Sequence, residues 1–279
     1  MVDLDKIIKN ALSEDIGMGD ITTSAIVSDL VTGKGVFLVK QDGIIAGLNL
    51  LETFFKISDP DLEFVKYIED GSHINSGQIA AGISGKAASL LTLERIALNF
   101  LQRMSGIATL TGVFVDKIKH TKARLLDTRK TAPGLRAIDK LAVKIGGGTN
   151  HRIGLYDMFL IKDNHIAVAG SITKAVQACK EFRLRKNVQV KIEVETTNIE
   201  QVNEALSCTP DFIMLDNFQL NDMTKAVKLI NGKCLIEASG RINENNIREI
   251  AETGVDFISV GALTHSAKAL DISLEITTE

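Results

Sequence analysis

Two rhythms of hydrophobic and polar residues divide the chain near residue 110. Residues 34–47 and 62–86 contain short apolar runs interrupted by Gly, Asn and Asp, a pattern typical of short strands joined by turns. The segments 48–58 and 89–106 instead carry apolar residues every three or four positions, which predicts helices. We therefore expect the first part of the chain to mix strands and helices.

After residue 110, six strand-length apolar runs alternate with helical segments. The runs are nearly all apolar, which indicates strands covered on both faces of a parallel sheet. Helix starts are recognisable at Ser171 and at a capping box from Thr197 to Glu200. The pattern favours a β/α barrel, with an open doubly wound sheet as the alternative. The six runs are ARLLD (123–127), YDMFLIKDN (156–164), VQVKIEVE (188–195), DFIMLDN (211–217), CLIEASG (234–240) and DFISVGAL (256–263).

Charge is unevenly distributed along the chain. The whole chain has a net charge of −3, whereas residues 123–165 hold 8 basic and 4 acidic residues, a net charge of +4. A local positive zone on an acidic protein favours a small, multiply charged anion over nucleic acid, which needs an extended basic face.

Composition also limits the location of the protein. No apolar stretch approaches the roughly 20 residues that cross a membrane, and the acidic N-terminus lacks the pattern of a signal peptide. Three cysteines without a C-x-x-C pair indicate neither a disulfide framework nor a zinc site. We therefore expect a cytoplasmic protein with no membrane partner.

Charged and small polar residues follow the predicted strands of the second part of the chain. In β/α barrels the carboxyl ends of the strands open onto one mouth, where the chemistry takes place. Cations follow the first strands and carboxylates the next, so we expect one half to bind anions and the other to suit Mg²⁺ or sugar hydroxyls. The strand-end residues are Arg129, Lys130, Lys162, Glu193, Glu195, Asp216, Ser239, Gly240 and Gly261.

Taken singly, each of these residues could equally be a solvated turn or part of a structural ion pair. Glu195 is the weakest candidate, since it could face solvent. His151 differs from the other histidines because Arg152 follows it directly within the basic zone. The late Ser239–Gly240 and Gly261 are typical of the phosphate-binding loops that follow the last strands of barrels.

Several strings of this sequence resemble the quinolinate phosphoribosyltransferase family, and the resemblance runs essentially from end to end. The long central string is the most specific of them. The strings are EDIGMGDITT (14–23), DTRKTAPGLR (127–136), GGGTNHRIGLYDMFLIKDNHI (146–166), KIEVE (191–195), IMLDN (213–217), EASGRI (237–242) and GVDFISVGALTHS (254–266).

The resemblance implies an enzyme that converts quinolinate and phosphoribosyl pyrophosphate to nicotinate mononucleotide, pyrophosphate and CO2 in de novo NAD biosynthesis. It implies an α/β protein with an N-terminal α/β sandwich, residues 1–108 joined by the C-terminal segment 267–279. The remaining residues, 109–266, would form an incomplete α/β barrel of about seven strands. It further implies Mg²⁺ bound with phosphoribosyl pyrophosphate, no organic cofactor, and a homodimer.

Site residues follow from the same resemblance, position by position. The residues expected to bind the substrate anions are Arg129, Lys130, His151, Arg152 and Lys162. Those expected to face the ribose, and to hold Mg²⁺ directly or indirectly, are Glu193 and Asp216. Those expected at the phosphate end are Ser239, Gly240, Arg241 and Gly261, with Arg241 standing where a small residue is common. Arg95 matches an arginine that reaches the neighbouring subunit's site. The predicted catalytic residues are Lys130, Lys162, Glu193 and Asp216.

Three other functions are compatible with parts of the pattern. Lys162 could be a Schiff-base nucleophile, although Asp163 and His165 adjoin it and such a lysine needs a site that lowers its pKa. The chain could be a non-catalytic binder of a small oxyanion, which the complete set of motifs disfavours. A related transferase could use nicotinate, a monocarboxylate, and would then release no CO2.

Overall fold

The computed structural model describes residues 4–28 and 30–278, and these residues form two compact units. The first unit combines the chain up to Gly112 with Thr131–Gly147 and the chain from Leu263. The second unit combines Val113–Lys130 with Gly148–Ala262. Among the described residues, none of the helices has both the length and the hydrophobicity that a bilayer crossing requires.

The first unit is built on an antiparallel sheet of four strands in the order β12-β1-β5-β3. Strand β1 buries every second residue, so one face of this sheet packs on a core in which the ring of Phe55 contacts those of Phe37 and Phe54. Its elements are α1 (Leu4–Ile16), α2 (Ile21–Ile26), β1 (Thr32–Val39), β2 (Gly43–Ile44), α3 (Leu48–Ser58), β3 (Glu63–Lys66), β4 (His73–Ile74), β5 (Ile79–Lys86), α4 (Ala87–Ile118), α5 (Arg136–Ile145) and β12 (Ile272–Thr278).

Two long-range contacts hold distant parts of the chain in the first unit. The last strand, β12, pairs antiparallel with β1 along its whole length. The Nε and Nη2 atoms of Arg103 on α4 each lie 2.8 Å from a carboxylate oxygen of Asp139 on α5. Asp139 is fully buried, and it also accepts the N–H of Ala132 at 3.3 Å. This ion pair anchors α5 and the loop before it.

The second unit contains a parallel sheet of six strands in the order β6-β11-β10-β9-β8-β7, which confirms the six predicted strands. The strands carry few polar residues because helices cover them. Its elements are β6 (Arg124–Leu126), β7 (Phe159–Ile161), α6 (Asp163–Ala169), α7 (Ile172–Lys186), β8 (Ile192–Thr196), α8 (Ile199–Ser207), β9 (Phe212–Asp216), α9 (Leu220–Ile230), β10 (Leu235–Ser239), α10 (Ile247–Glu252) and β11 (Phe257–Ser259). The short helix α11 (Ala262–His265) begins at the last residue of this unit, and its other residues belong to the first unit.

The strand order identifies the architecture of this sheet. Strands β7 to β11 follow one another in chain order, and the first strand, β6, pairs with the last, β11. A doubly wound sheet would reverse its order at a switch point, so the alternative of an open doubly wound sheet is wrong. The order is that of an incomplete barrel. An isolated parallel bridge between Leu126 and Thr149 extends the β6 edge beyond the six strands.

One predicted helix start is confirmed and one is wrong. Ser171 caps α7, and its hydroxyl accepts the N–H of Lys174 at 3.1 Å. Helix α8 is capped by Asn198 and not by Thr197, because the Asn198 side-chain oxygen accepts the N–H of Gln201 at 2.8 Å. The hydroxyl and N–H of Thr197 instead donate to the Gln201 side chain. An Asn one residue later in the chain takes the capping role.

Candidate active site

The pleat of the parallel sheet places acidic side chains from three strands on one face. Directly paired residues of neighbouring strands project to the same side. Glu195 and Glu237 both pair with Met214, and Ser239 pairs with Asp216. Because side chains alternate along a strand, Glu193 shares the face of Glu195. The intervening apolar residues, such as Val194 and Ala238, are fully buried on the other face, which the helices cover.

A buried cluster of one histidine and two glutamates lies on this face. The Nε2 atom of His151 is 3.1 Å from Glu193 Oε2 and 3.3 Å from Glu237 Oε2. The exposed fractions of the three side chains are 8%, 0% and 1%. The second carboxylate oxygens, Oε1 of Glu193 and Oε1 of Glu237, are also buried and have no hydrogen-bond partner among the described residues. We call these three residues the His–Glu–Glu cluster.

Asp127 fixes the backbone that carries His151. This carboxylate is fully buried at the end of β6, and it accepts the backbone N–H of His151 at 2.8 Å and the side-chain amide of Asn150 at 2.6 Å. A parallel bridge between Leu126 and Thr149 runs alongside these contacts. The Asp of the DTRK string therefore anchors the NHR string, which explains why two strings far apart in sequence act together.

The two carboxylates hold a proton in the cluster. Burial disfavours an imidazolium, but the hydrogen bonds that it donates to Glu193 and Glu237 outweigh this and raise the pKa of His151 to about 10. Burial and the adjacent charge of Glu237 raise the pKa of Glu193 to about 7, against the opposing effect of His151. The proton on Nε2 of His151 lies between the carboxylates, and Nδ1 lies 2.7 Å from the backbone nitrogen of Arg152.

The geometry of His151 also bears on metal binding. The ligand atoms of the His–Glu–Glu cluster all lie within 4.8 Å of one another, a spacing that could admit a metal ion. A histidine binds a metal ion only through a ring nitrogen that carries no hydrogen. The raised pKa of His151 keeps a hydrogen on Nε2, so the cluster fits a shared proton and does not fit a metal ion.

Two guanidinium groups lie beside this cluster. Burial and the neighbouring charge of Arg129 lower the pKa of Arg152, while Glu193 and Asp157 act in the opposite direction. The Nη1 atom of Arg152 donates to the carbonyl of Met158 at 3.1 Å. Asp157 accepts the N–H groups of Ile153 and Gly154 at 2.6 and 3.0 Å, which closes the turn after Arg152. Two cations that repel each other in a partly buried place favour an anionic ligand between them.

Lys162 and Glu195 form an ion pair at the mouth of the sheet. The Nζ atom of Lys162 lies 2.8 Å from Glu195 Oε2, and the Glu195 side chain is only 12% exposed. Glu195 therefore contacts a predicted site residue, and the alternative that it faces solvent is wrong. The backbone N–H of Lys162 donates to Nδ1 of His165 at 2.9 Å at the start of α6. A Schiff-base lysine needs an apolar pocket, and this ion pair disfavours that alternative.

The ends of β9 and β10 approach each other closely. The N–H of Asn217 donates to the carbonyl of Ser239 at 2.9 Å, and Gly240 has a φ of +94°. A Cβ at Gly240 would lie 2.4 Å from Oδ1 of Asn217, so only glycine fits there. Asp216 is half-buried, and its Oδ2 accepts the Asn217 amide at 2.7 Å.

The remaining predicted residues are placed less specifically. Arg241 is exposed and has a φ of +54°, and its carbonyl accepts the side-chain amide of Asn246 at 3.2 Å. Gly261 is half-buried and follows Val260, whose N–H donates to the carbonyl of Leu126. Lys130 is exposed, and its N–H donates to the Thr128 hydroxyl. Arg95 is an exposed residue of α4 in the first unit.

The structure adds Glu237 to the residues that the sequence pointed out. Within the strands, site residues were predicted only at the carboxyl ends of the apolar runs, which in this strand are Ser239 and Gly240. A glutamate inside an otherwise apolar buried strand was the available signal, since such a carboxylate rarely lies in a core without a partner.

Comparison with known proteins places the chain in one family. The family described as "Quinolinate phosphoribosyl transferase, N-terminal domain" matches residues 20–105, and its C-terminal domain counterpart matches residues 107–275. "Quinolinate phosphoribosyltransferase (decarboxylating) 2b, mitochondrial" from Nicotiana tabacum is 45% identical over 293 residues, 99% of this chain and 83% of the tobacco protein. "Probable nicotinate-nucleotide pyrophosphorylase (carboxylating)" from Synechocystis sp. is 43% identical, over 98% of this chain and 92% of that protein.

Solved structures agree with this result. The crystal structure of NadC from Streptococcus pyogenes superposes with a TM-score of 0.93 at 38% identity, covering 100% of both chains. Nicotinate-nucleotide pyrophosphorylase from Ehrlichia chaffeensis superposes with a TM-score of 0.92 at 42% identity, covering 99% of both chains. With both domains matched and a relative that is 45% identical over 99% of this chain, the chain belongs to the quinolinate phosphoribosyltransferase family.

Proposed function

We propose that the protein converts quinolinate and phosphoribosyl pyrophosphate to nicotinate mononucleotide, pyrophosphate and CO2, a step of de novo NAD synthesis. The tobacco relative is named as a decarboxylating quinolinate phosphoribosyltransferase, and an Arabidopsis thaliana relative as a carboxylating nicotinate-nucleotide pyrophosphorylase. The observation that carries the proposal is the pair of guanidiniums, Arg129 and Arg152, beside the buried His–Glu–Glu cluster. The guanidiniums suit the quinolinate dianion, and the adjacent carboxylates suit the positive charge that develops on the sugar.

The cations of the site bind and orient the pyridine diacid. In the ground-state complex, quinolinate contributes two carboxylates and the cosubstrate a diphosphate and a phosphate. At about 4 Å and an effective dielectric constant near 20, each well-placed opposite charge offsets about 4 kcal/mol before desolvation is subtracted. Arg129 and Arg152 supply planar forks that match carboxylates, while Lys130 and Lys162 supply movable point charges. Lys162 would exchange Glu195 for a substrate anion.

The carboxylates of the site act on the sugar. As the C1–O bond to pyrophosphate breaks, its electron pair leaves with pyrophosphate and C1 becomes cationic. Glu193 and Asp216 stabilise this charge because they are held in place before the reaction begins. The pyridine nitrogen then forms its bond to C1, and the ring becomes a pyridinium. That ring accepts the electron pair left at C2 when CO2 departs, and a proton then replaces CO2, so we propose no organic cofactor.

We further propose that Mg²⁺ binds with phosphoribosyl pyrophosphate at Asp216. This half-exposed carboxylate fits Mg²⁺, which keeps several of its waters when it binds proteins. Glu193 does not fit as a direct ligand because it is fully buried and its Oε2 lies against His151. When bound, Mg²⁺ would neutralise charge on the diphosphate leaving group.

The homodimer with Arg95 at the neighbouring site, and the cytoplasmic location, remain proposals. Plant relatives bear names that place them in mitochondria or chloroplasts, so location varies among relatives. Mixing inactive Arg95→Ala and Lys162→Ala subunits tests the dimer. If Arg95 acts on the neighbouring subunit, a mixed dimer contains one intact site and activity returns, whereas no recovery on exchange of subunits contradicts it.

The proposed reaction is tested by release of labelled CO2 from quinolinate labelled in the 2-carboxylate, with and without EDTA. Release that depends on phosphoribosyl pyrophosphate and is lost with EDTA is the expected result. Nicotinate serves as the competing substrate. Turnover of nicotinate in place of quinolinate, or binding of quinolinate without any CO2, would contradict the proposed function.

A further inference from the structure

Glu237 is a buried titratable residue to which the proposed reaction gives no role so far. It lies in the middle of β10, with Ala238 and Ile236 buried on the opposite face. Its side chain is 1% exposed, and its Oε2 lies 3.3 Å from His151 Nε2. Its Oε1 is buried and has no hydrogen-bond partner among the described residues. Burying a carboxylate in this way costs stability, which calls for a functional reason.

The arrangement contains one hydrogen for two acceptors. The Nε2 atom of His151 carries a single hydrogen, and Oε2 atoms of Glu193 and Glu237 lie at 3.1 and 3.3 Å from it. The contact to Glu193 is the shorter and lies within the usual range of an N–H···O hydrogen bond, and Glu237 lies just beyond that range on the same hydrogen. The imidazole is therefore held between the two glutamates, and the negative charge of the pair is only partly compensated.

We infer that Glu237 is a positioning residue of the proposed active site, which holds His151 beside Glu193 and maintains uncompensated negative charge next to the nascent ribosyl cation. This inference rests on the proposed function. Preorganised negative charge is worth more at a transition state with a cationic sugar than in the ground state with a neutral one. Glu237 thus acts on kcat more than on the binding of quinolinate.

The inference predicts opposite effects on stability and on activity. Glu237→Gln keeps the size of the side chain and removes one buried charge, so the midpoint of thermal unfolding should stay the same or rise. The same substitution should lower kcat at least about tenfold, as loss of a carboxylate that orients an active-site histidine does. The KM for quinolinate should change by less than about threefold. A purely structural role would lower stability and leave kcat unchanged.

A second His–Glu contact supplies the matched control. His120 Nε2 lies 3.0 Å from Glu252 Oε1, with side chains 42% and 47% exposed. Glu252→Gln makes the same chemical change at the surface and should leave kcat within about twofold. Glu237→Asp retains the negative charge and should keep more activity than Glu237→Gln.

The experiment measures kcat, KM and thermal unfolding midpoints for the wild type and the three variants of the full chain. A lower unfolding midpoint for Glu237→Gln overturns the inference, whether or not activity falls with it. An unchanged kcat for that variant, or less activity for Glu237→Asp than for Glu237→Gln, also overturns it. Absence of CO2 release from the wild type contradicts the proposed function instead, and the unfolding midpoints still decide whether Glu237 is held at a cost to stability.

Discussion

Removal of the Asp127 carboxylate should damage both the stability of the second unit and its activity. Asp127 is fully buried and accepts the N–H of His151 at 2.8 Å and the amide of Asn150 at 2.6 Å. Hydrogen bonds to a charged group contribute about 1.5–3 kcal/mol each. Asp127→Ala removes two of them and strands two buried donors, so we expect a loss of about 3–6 kcal/mol. Asp127→Asn keeps the volume and one acceptor oxygen and should lose about half as much.

The effect on activity follows from the position of His151. Without Asp127 the backbone that carries His151 is no longer held against the end of β6, so the His–Glu–Glu cluster loses its geometry. We expect kcat/KM for quinolinate to fall at least about tenfold in Asp127→Ala. Urea unfolding followed by circular dichroism measures stability, because the chain has no Trp for fluorescence.

Asp256 offers a matched control for this experiment. Its Oδ2 accepts the N–H of Ile236 at 2.9 Å, and its Oδ1 pairs with Lys122 at 2.6 Å, at the amino ends of the strands. Asp256→Ala should lower stability through a similar loss but leave kcat/KM within about twofold. If Asp127→Ala unfolds at the wild-type urea concentration, or if Asp256→Ala loses as much activity, the reasoning is refuted.

Three further predictions address other contacts. Lys162→Ala should lower kcat/KM for quinolinate about 30- to 100-fold, which corresponds to the loss of one charge-assisted hydrogen bond. The control Lys174→Ala, at an exposed lysine, should not lower it. Equal kinetics of the two variants at saturating cosubstrate would show that Lys162 is not part of the site. Wild-type kcat/KM should rise with pH through about 7, because Glu193 ionises there. The free energy of unfolding should fall between about pH 6.5 and 10. In this range folded His151, with a pKa of about 10, keeps a proton that the unfolded chain releases. His151→Asn should flatten the unfolding profile, and a persisting slope would contradict the assignment. Arg103→Met should lower the free energy of unfolding by about 3 kcal/mol, because it leaves the buried Asp139 carboxylate without its guanidinium partner. An unchanged urea midpoint would show that this ion pair contributes nothing to stability.

Residues near one another in sequence were predicted well. The six apolar runs became the six parallel strands, because a strand covered on both faces is apolar at most positions. Ser171 was identified as a helix cap because its side chain bonds to a backbone N–H three residues later. The capping box at Thr197 failed because Asn198, one residue later, competes for the same role. A shift of one residue is smaller than a local sequence pattern can resolve.

The candidate site was predicted in part. Strand ends can be read from sequence because the chain changes from apolar to polar where the sheet ends, and this indicated Lys162 and Asp216. Glu193 was predicted at a strand end, but it lies inside β8. Glu237 lies inside a strand, where the same rule expects core residues. Its partner His151 lies outside any helix or strand, so neither periodicity nor spacing relates the two. Family resemblance supplied the role of His151, and the contact with Glu237 required coordinates.

The sequence by itself determined the elements, the parallel sheet, the local positive charge and the family, because each depends on the order of residues or on their identity. Only the tertiary structure decided which charges meet. It brought Asp127 to the backbone of His151, placed one imidazole between Glu193 and Glu237, and paired Lys162 with Glu195. The physical reason is that electrostatic interactions depend on distance and burial, and the folding of six strands into one sheet sets both for residues far apart in the chain.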